Sequence, residues 1–224
     1  MKAIILAAGK GTRLQCENTD IPKALRLANG KPLISYVLDN LRFLAPEDIT
    51  IVVGFLKEKI IEVLGPRYHY VEQTQIDGTA HATLYAEPLF ANDVGPVMVL
   101  YCDMPLLRET TYRRMFERHI ATGADSTLLA GRLHPIPEFG RLIRDADGTL
   151  LDIIEHSACT PAQQTIDEVN VGIQVFNTPD MWHILRQIRN NNPKHEYYLT
   201  SAAGILAQEH KKQEVVYIED PTEA

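Results

Sequence analysis

The chain has 224 residues, of which 45% are hydrophobic and 23% are charged, and its formal net charge is −7. This length and apolar content suffice for a well-buried core, and the negative charge argues against a general nucleic-acid-binding protein. No apolar run approaches the roughly 20 residues that a membrane-spanning helix needs. The apolar patch at the start is too short for a signal peptide and is followed by Lys10 and Arg13.

The cysteine content points to the compartment. Cys16, Cys102 and Cys159 lie far apart, are odd in number and show no CxxC spacing. This usage predicts a reduced, cytoplasmic location and argues against a disulfide or a zinc site.

The first half of the chain alternates strand-like and helix-like segments. Apolar or β-branched runs predict strands over Ala3–Ala8, Ile49–Val53, Tyr68–Val71 and Val97–Cys102, and helical spacing predicts helices over Leu33–Leu44, Lys57–Leu64 and Thr79–Phe90. Such alternation predicts an α/β fold, with a Rossmann-like, mostly parallel (mixed) sheet and helices on both faces. Ligands of such sheets bind along the edge where the parallel strands end.

The second half is less regular. Strands are predicted over Ser126–Ala130, Gly140–Arg144, Thr149–Glu155, Val169–Phe176 and Glu214–Ile218, and helices over Met181–Ile188 and Leu199–Glu209. Pro135, Pro137 and Gly148 punctuate them. With no linker or repeat in the sequence, we expect one domain over residues 1–224 with a smaller lobe at roughly residues 131–200.

A glycine-rich, cationic loop follows the first strand. The first 31 residues hold six Lys and Arg against two Asp and Glu, an arrangement suited to a small anion. Gly9 and Gly11 match the first two glycines of GxGxxG, but the third is missing and no helix follows directly; a Walker A motif is excluded as well. Backbone N–H groups of such a loop can approach phosphate closely. On the loop alone, a plain strand-end turn with solvated charges explains the pattern equally well.

Further motifs decide between these two interpretations. After LAAGKGTRL, PKAL and GKPLI come, in order, VEQTQIDGTAHA, YCDMPLL, EFGRLI, IIEHSA, EVNVGI and NNNPKHEYYLT. The series resembles the sugar-1-phosphate nucleotidyltransferases, and most of all the pyrophosphorylase domain of bacterial N-acetylglucosamine-1-phosphate uridyltransferase. The resemblance covers almost the whole chain, and its motifs are specific jointly rather than singly.

The resemblance implies a reaction. A uridylyl group would pass from UTP to a sugar 1-phosphate, N-acetylglucosamine 1-phosphate in the first place, with Mg²⁺ as cofactor and a UDP-sugar and pyrophosphate as products. A phosphate monoester has a second pKa of about 6, so it attacks without a general base, and catalysis is mainly electrostatic. The implied partners are these two substrates, with neither nucleic acid nor membrane; the oligomeric state stays open, a homo-oligomer included.

The resemblance also implies roles for individual residues. Arg13 would hold the β- and γ-phosphates, Lys23 would lie by the α-phosphate, and Asp103 would be a magnesium ligand. The implied nucleotide-binding residues are Leu6, Ala8, Gly9, Gly11, Thr12, Gln73, Gly78 and Thr79, with Gln73 and Gly78 at the uracil edge. The implied sugar-binding residues are Gly140, Glu155, Asn170, Tyr198 and Thr200.

Several of these residues have a plain structural alternative. Asp103 could cap the helix that follows it, and Gln73 could be an exposed polar residue after a strand. Asn170 could be satisfied by protein groups, and Glu155 could belong to the polar face of a strand. His81 is better explained as packed at a helix start, and His156 receives no role.

The chain also departs from the family pattern. Its loop between Arg13 and Lys23 is longer, and Cys102 and Ser201 stand where glycine and aspartate are usual, which leaves the sugar open. The family's second metal ligand is an asparagine in a Gly-Val-Asn segment, and the chain stops at Ala224 just before it. The resemblance therefore implies a fragment of a longer protein; otherwise Glu219 or Asp220 would substitute.

Three other functions remain open. The same fold could use glucose 1-phosphate, or phosphocholine with CTP. A non-catalytic regulatory subunit could bind a sugar nucleotide without turnover. A dehydrogenase is the most remote, because the third glycine and an acidic ribose-binding residue have no counterpart.

Overall fold

The computed structural model describes residues 1–9, 11 and 20–224. Its strands are β1 (Lys2–Ala7), β2 (Leu27–Ala28), β3 (Lys31–Pro32), β4 (Ile49–Val53), β5 (His69–Glu72), β6 (Pro96–Tyr101), β7 (Ser126–Arg132), β8 (Arg141–Arg144), β9 (Leu150–Ile154), β10 (Glu168–Asn177) and β11 (Gln213–Tyr217). Its α-helices are α1 (Leu33–Asn40), α2 (Lys57–Leu64), α3 (Thr79–Leu84), α4 (Glu109–Thr122), α5 (Pro161–Gln164), α6 (Asp180–Gln187) and α7 (Ala202–Gln208).

Nine strands within the described ranges form one mixed sheet. Its main path runs β11-β7-β10-β6-β1-β4-β5, and the β8–β9 hairpin extends it from β10. Strands β6, β1, β4 and β5 are parallel to one another, whereas β10 is antiparallel to both β6 and β7. The predicted mostly parallel, mixed α/β architecture is confirmed.

The central strands are apolar on both faces because helices cover both. Along β1, Ile5 joins the core layer formed with α1 and α4, while its neighbour Ile4 joins the opposite layer with α3, α6 and α7. Both side chains are fully buried, and all five residues of β4 are buried too. Continuous apolar runs are therefore what two-sided burial requires of these strands.

Some predicted helices are shorter than expected. The segment Thr79–Phe90 is not one helix: α3 ends at Leu84, and a 3₁₀ turn follows over Glu87–Phe90. Pro88 explains the break, because proline lacks an N–H and clashes with the preceding turn inside an α-helix. The segment Leu199–Glu209 likewise opens with a 3₁₀ turn, Leu199–Ser201, before α7.

Within the range predicted for the smaller lobe, roughly residues 131–200, only the β8–β9 hairpin and α5 lie off the main path of the sheet, whereas β10 and α6 belong to the main body. Leu142, Leu150 and Ile153 of the hairpin pack with Ala203 of α7, so the hairpin shares a core with the main body. Among the helices of the described ranges, none has both the length and the apolar character needed to cross a membrane.

Candidate functional site

The parallel strands end together at one edge of the sheet. Ala7 pairs with Val53, and Val53 pairs with Glu72, so β1, β4 and β5 finish at the same level. Because β10 is antiparallel to β6, its amino-terminal half lies at this edge too. This edge therefore carries several residues predicted for the site, namely Ala8, Gly9, Gln73, Asp103 and Asn170.

Lys23, Asp103 and Gly11 come together there. The ammonium group of Lys23 forms an ion pair with Asp103, and each side chain is 29% exposed. Gly11 has a φ of +66°, and a β-carbon on it would lie 2.9 Å from Cβ of Lys23. Its carbonyl oxygen accepts a hydrogen bond of 3.1 Å from Nη1 of Arg26, one of the six cations of the first 31 residues and not one of the predicted site residues. A glycine is therefore required where the predicted phosphate loop meets Lys23.

Asp103 does not cap the next helix. The N-cap position of α4 is Arg108, and the carboxylate of Glu223 accepts hydrogen bonds from Arg108 N at 3.1 Å and from Thr111 Oγ1 at 2.7 Å. The helix-cap alternative for Asp103 is therefore wrong. Burial raises the pKa of the preceding thiol, Cys102, to about 12, with a further contribution from Asp103, so the thiol stays protonated at neutral pH.

The rest of the predicted phosphate loop is only partly within the described ranges. Arg13 and Thr12 lie outside the described residues, so their roles stay predictions. Gly9 is exposed, and a β-carbon built on it meets no atom of the described residues within 4 Å. The described part of the protein therefore leaves space at Gly9.

Leu6 lies in β1 and Ala8 directly follows it, and both are held by backbone hydrogen bonds. Both are buried, at 8% and 4% exposed. The carbonyl of Leu6 accepts from Cys102 N at 3.3 Å, and that of Ala8 accepts from Phe55 N at 3.2 Å. These bonds fix the strand end from which the glycine loop leaves.

Gln73 follows β5 and is buried, not exposed. Gln73 is only 4% exposed, and its backbone N–H donates a hydrogen bond to Val53 O at 2.8 Å. Its amide nitrogen Nε2 is buried with no hydrogen-bond partner in the described part of the protein. An unsatisfied buried donor destabilises a protein by about 1–3 kcal/mol, and an acceptor on a ligand would remove that cost. The exposed-residue alternative is wrong.

Gly78 and Thr79 dock the segment that leads into the Leu199–Ser201 turn. Gly78 has a φ of +111°, and a β-carbon there would lie 2.6 Å from the backbone N of Tyr197. Ala80 N donates to Tyr197 O at 2.9 Å, and Leu199 N donates to Thr79 Oγ1 at 2.8 Å. The predicted base-binding and sugar-binding segments therefore touch directly.

Tyr101 lies beside these segments and is not among the residues predicted for the site. A β-carbon on Gly172 would lie 2.7 Å from Cε2 of its ring. Burial raises the pKa of Tyr101 to about 12, the side chain of Thr79 acts to lower it, and the nearby carboxylates of Glu155 and Asp103 add to the rise. A tyrosine at the end of an apolar strand suggests core packing, but its place two residues before Asp103 in YCDMPLL is the available signal.

The predicted sugar-binding residues form two linked pairs. Thr200 Oγ1 donates to Glu155 Oε1 at 2.8 Å, and Asn170 N donates to Gly140 O at 2.8 Å. Asn170 Oδ1 also accepts from Gly172 N at 3.1 Å, so a protein group satisfies part of this amide. A cavity of about 10 Å³, close to the volume one water molecule needs, lies between the pairs and is lined by Tyr101, Asn170, Gly172 and Thr200 among others.

Tyr198 and Glu155 occupy the ends of elements rather than their middles. Tyr198 is the N-cap of the Leu199–Ser201 turn, and its carbonyl accepts from Ser201 N at 3.1 Å. Glu155 follows the last residue of β9, Ile154, and so does not belong to a strand face. Both residues lie where the chain changes direction.

The acidic groups fit a metal held jointly with substrate. Among the described residues no group of three or more His, Cys, Asp and Glu side chains converges on one point. Glu219 and Asp220 form ion pairs with Arg114 and Arg108 instead. Of these described carboxylates, Asp103 suits Mg²⁺, which is commonly held by one or two carboxylates together with substrate phosphates.

The chain is similar to known nucleotidyltransferases. The bifunctional protein GlmU of Solibacter usitatus is 40% identical over 223 residues, which cover 99% of this chain and 47% of that protein. GlmU of Brevibacillus brevis is 34% identical over 204 residues, covering 91% of this chain and 44% of that protein. The chain thus spans about half the length of the curated relatives it matches.

The fold has a solved counterpart. A UDP-glucose pyrophosphorylase in complex with UDP-glucose superposes with a TM-score of 0.78 at 20% identity, covering 96% of this chain and 90% of that one. The MobA-like NTP transferase domain family matches residues 3–163, well over half of the sequence. The chain therefore belongs to the MobA-like NTP transferase family.

Proposed function

We propose that the protein transfers a uridylyl group from UTP to a sugar 1-phosphate, N-acetylglucosamine 1-phosphate in the first place. The observation that carries this proposal is the convergence of Lys23, Asp103 and the positive-φ Gly11 at the edge where the parallel strands end. A lysine, a carboxylate for a metal and a glycine-shaped backbone are the groups that phosphoryl transfer requires. The choice of UTP and N-acetylglucosamine 1-phosphate follows the resemblance of the motifs, from LAAGKGTRL to NNNPKHEYYLT, to the sugar-1-phosphate nucleotidyltransferases.

The proposed chemistry needs no proton transfer. A phosphate oxygen of the sugar 1-phosphate forms a bond to the α-phosphorus of UTP as the bond from that phosphorus to the bridging oxygen of pyrophosphate breaks. Lys23 neutralises charge on the α-phosphate, and the predicted role of Arg13 is to hold the departing phosphates. Asp103 would hold Mg²⁺ together with the substrate phosphates, and the metal would supply further positive charge to the reaction.

Gln73 supports uracil as the base. Its buried Nε2 offers donors without a protein acceptor, and uracil presents a carbonyl oxygen where cytosine presents an amino group. A donor facing the cytosine amino group would remain unsatisfied, which costs more than a missing attraction. We therefore infer that UTP is favoured over CTP.

Glu155 and Thr200 support a hydroxyl-rich acceptor. The carboxylate of Glu155 accepts a hydrogen bond from Thr200 through one oxygen, Oε1. A carboxylate has acceptor capacity left for sugar hydroxyls beyond one such bond. Phosphocholine has no hydroxyl to use that capacity, so a sugar 1-phosphate fits this pair better.

Pyrophosphate release from the purified chain tests the proposal. The reactions combine UTP or CTP with N-acetylglucosamine 1-phosphate, glucose 1-phosphate or phosphocholine, with and without Mg²⁺. We expect Mg²⁺-dependent release that is fastest with UTP and N-acetylglucosamine 1-phosphate. Equal rates with UTP and CTP would refute the role of Gln73. Calorimetric binding of a UDP-sugar with no release from any pair would favour a regulatory subunit.

A further inference from the structure

Arg141 is a buried cation that the proposed reaction leaves unexplained. It has the largest fully buried side chain, at 1% exposed. A guanidinium keeps its charge in proteins, and burying a charge is unfavourable unless its hydrogen bonds are made. No described carboxylate forms an ion pair with it, and its Nε has no hydrogen-bond partner in the described ranges. The unfavourable burial of this charge must be offset by the interactions through which Arg141 holds neighbouring segments in place.

Its backbone lies where three strands meet. Arg141 of β8 pairs with Ile154 of β9 and with Val169 of β10. One residue away along each of these strands lies a predicted sugar-binding residue: Gly140, Glu155 and Asn170. The same junction thus sets the spacing of all three.

Its side chain holds the segments that flank the junction. The guanidinium donates to the carbonyl of Phe139, to Gln164 O at 3.3 Å and to His156 Nδ1 at 3.4 Å. Phe139 precedes Gly140, whereas His156 follows Glu155. One planar group therefore connects the turn that enters β8 with the segment that leaves β9.

We propose that Arg141 is a positioning residue for the sugar-phosphate half of the site, an inference that rests on the proposed function. It keeps Gly140 and Glu155 at a fixed separation from Asn170 and does not itself touch the substrate. Arginine is needed because its fork donates in several directions from one rigid plane. Lysine would keep the charge but would have a single ammonium for acceptors on two different segments.

The test compares Arg141→Lys with Arg144→Lys on the same strand. Arg144 lies three residues further along and is paired with Glu168, outside the predicted site, so it receives the matched substitution. The losses of one or two hydrogen bonds predict a rise of roughly tenfold or more in KM for the sugar phosphate with R141K. We expect KM for UTP to change less than about twofold with R141K. With R144K, both KM values should stay at those of the wild type.

The outcomes separate this inference from the proposed function. If R141K leaves KM for the sugar phosphate unchanged, or raises both KM values equally, Arg141 has no positioning role. If R141K does not fold, His156→Ala is tested instead, because this substitution removes one acceptor of the Arg141 guanidinium. His156→Ala should then raise KM for the sugar phosphate but not for UTP. An unchanged KM for the sugar phosphate would overturn the inference. A wild-type chain that releases no pyrophosphate with any acceptor refutes the proposed function instead.

Discussion

Lys23 and Asp103 neutralise each other across the edge of the sheet, one from the turn after the glycine loop and the other from the end of β6. Each side chain is partly open to solvent, so the pair contributes little to stability, in the range of about 0–1 kcal/mol. The role expected of the pair is chemical. Substrate phosphates would replace Asp103 as the partner of Lys23, and a metal would replace Lys23 as the partner of Asp103.

We expect Lys23→Ala and Asp103→Ala each to lower kcat by about 10²-fold or more, because each removes charge that stabilises the transition state. The melting temperature should stay near that of the wild type because the pair is partly exposed. Pyrophosphate release and a melting curve, measured together, check this. Near-normal turnover in a normally folded variant would show that the residue has another role.

Substitutions of the two loop glycines, Gly9 and Gly11, are predicted to have different effects on stability. Gly9→Ala should leave the melting temperature unchanged and weaken UTP binding, because its β-carbon meets no atom of the described residues but would enter the space expected for phosphate. Gly11→Ala should also destabilise the fold, by about 1–2 kcal/mol, because of its φ of +66° and the contact with Lys23. Calorimetry with UTP and thermal melting distinguish the two variants.

Gly95→Ala is the control for this pair, since its β-carbon also meets no atom within 4 Å and it lies before β6, at the opposite end from Asp103. It should affect neither measurement. Unchanged UTP affinity in Gly9→Ala would contradict a phosphate at that point.

Gln73→Leu should stabilise the free protein while reducing base selectivity. Removing the unpartnered Nε2 relieves a desolvation cost of about 1–3 kcal/mol, although leucine fills the space differently. The ratio of kcat/KM for UTP over CTP should fall toward unity because no donor remains for the uracil carbonyl. Urea unfolding and pyrophosphate release give the two readings, and an unaltered ratio would rule out contact with the base.

Glu168 is expected to make stability depend on pH. Burial by itself raises the pKa of this carboxyl, but hydrogen bonds from Arg144 and Tyr217 and the charge of Arg132 outweigh burial, so its pKa is lowered in the folded protein. A lowered folded pKa means that stabilisation is present above the unfolded pKa, about 4.3 for glutamate, and disappears as pH falls through the folded value.

The measurement is urea unfolding of the wild type and Glu168→Gln across a pH series. The difference in unfolding free energy should be largest near neutral pH and should shrink below about pH 4. Glu62→Gln, on the exposed side of α2, serves as the control and should show no such trend. A difference that does not vary with pH would contradict the assigned ionic contacts.

Glu223→Ala should destabilise the protein by roughly 1 kcal/mol or more, as loss of a helix cap does. The carboxylate satisfies Arg108 N and the buried hydroxyl of Thr111, and alanine can replace neither bond. Glu219→Ala is the comparison, because that side chain is 75% exposed and pairs only at the surface with Arg114. Equal unfolding free energies for the two variants would argue against the cap.

The sequence predicts the central sheet well for a physical reason. Strands such as Ile49–Val53 are buried on both faces, so their apolar runs are unbroken and their bounds match the structure. The helix over Lys57–Leu64 also matches. A helix bound is predicted wrongly where a single proline ends the helix, as Pro88 does after α3. The helical spacing of apolar residues continues across this proline and hides the break.

The site is less evident in the sequence. Motif order predicts Lys23, Asp103 and Gln73, and the structure shows the first two in contact and the third buried. Tyr101 and Arg141 are missed because a strand tyrosine suggests core and a strand arginine suggests surface. Only the fold reveals that an arginine with 1% exposure lies at a junction of three strands.

Strand β10 has a mechanical consequence. Its ten residues pair with β6 and β7 and, at Val169, with β8, so one strand links the edge that carries the candidate site to the hairpin beside the predicted sugar-binding residues. The hairpin cannot swing away as a hinged lid unless ladder hydrogen bonds of β10 break. A closing motion over the candidate site is therefore expected of the loops at this edge of the sheet rather than of the hairpin.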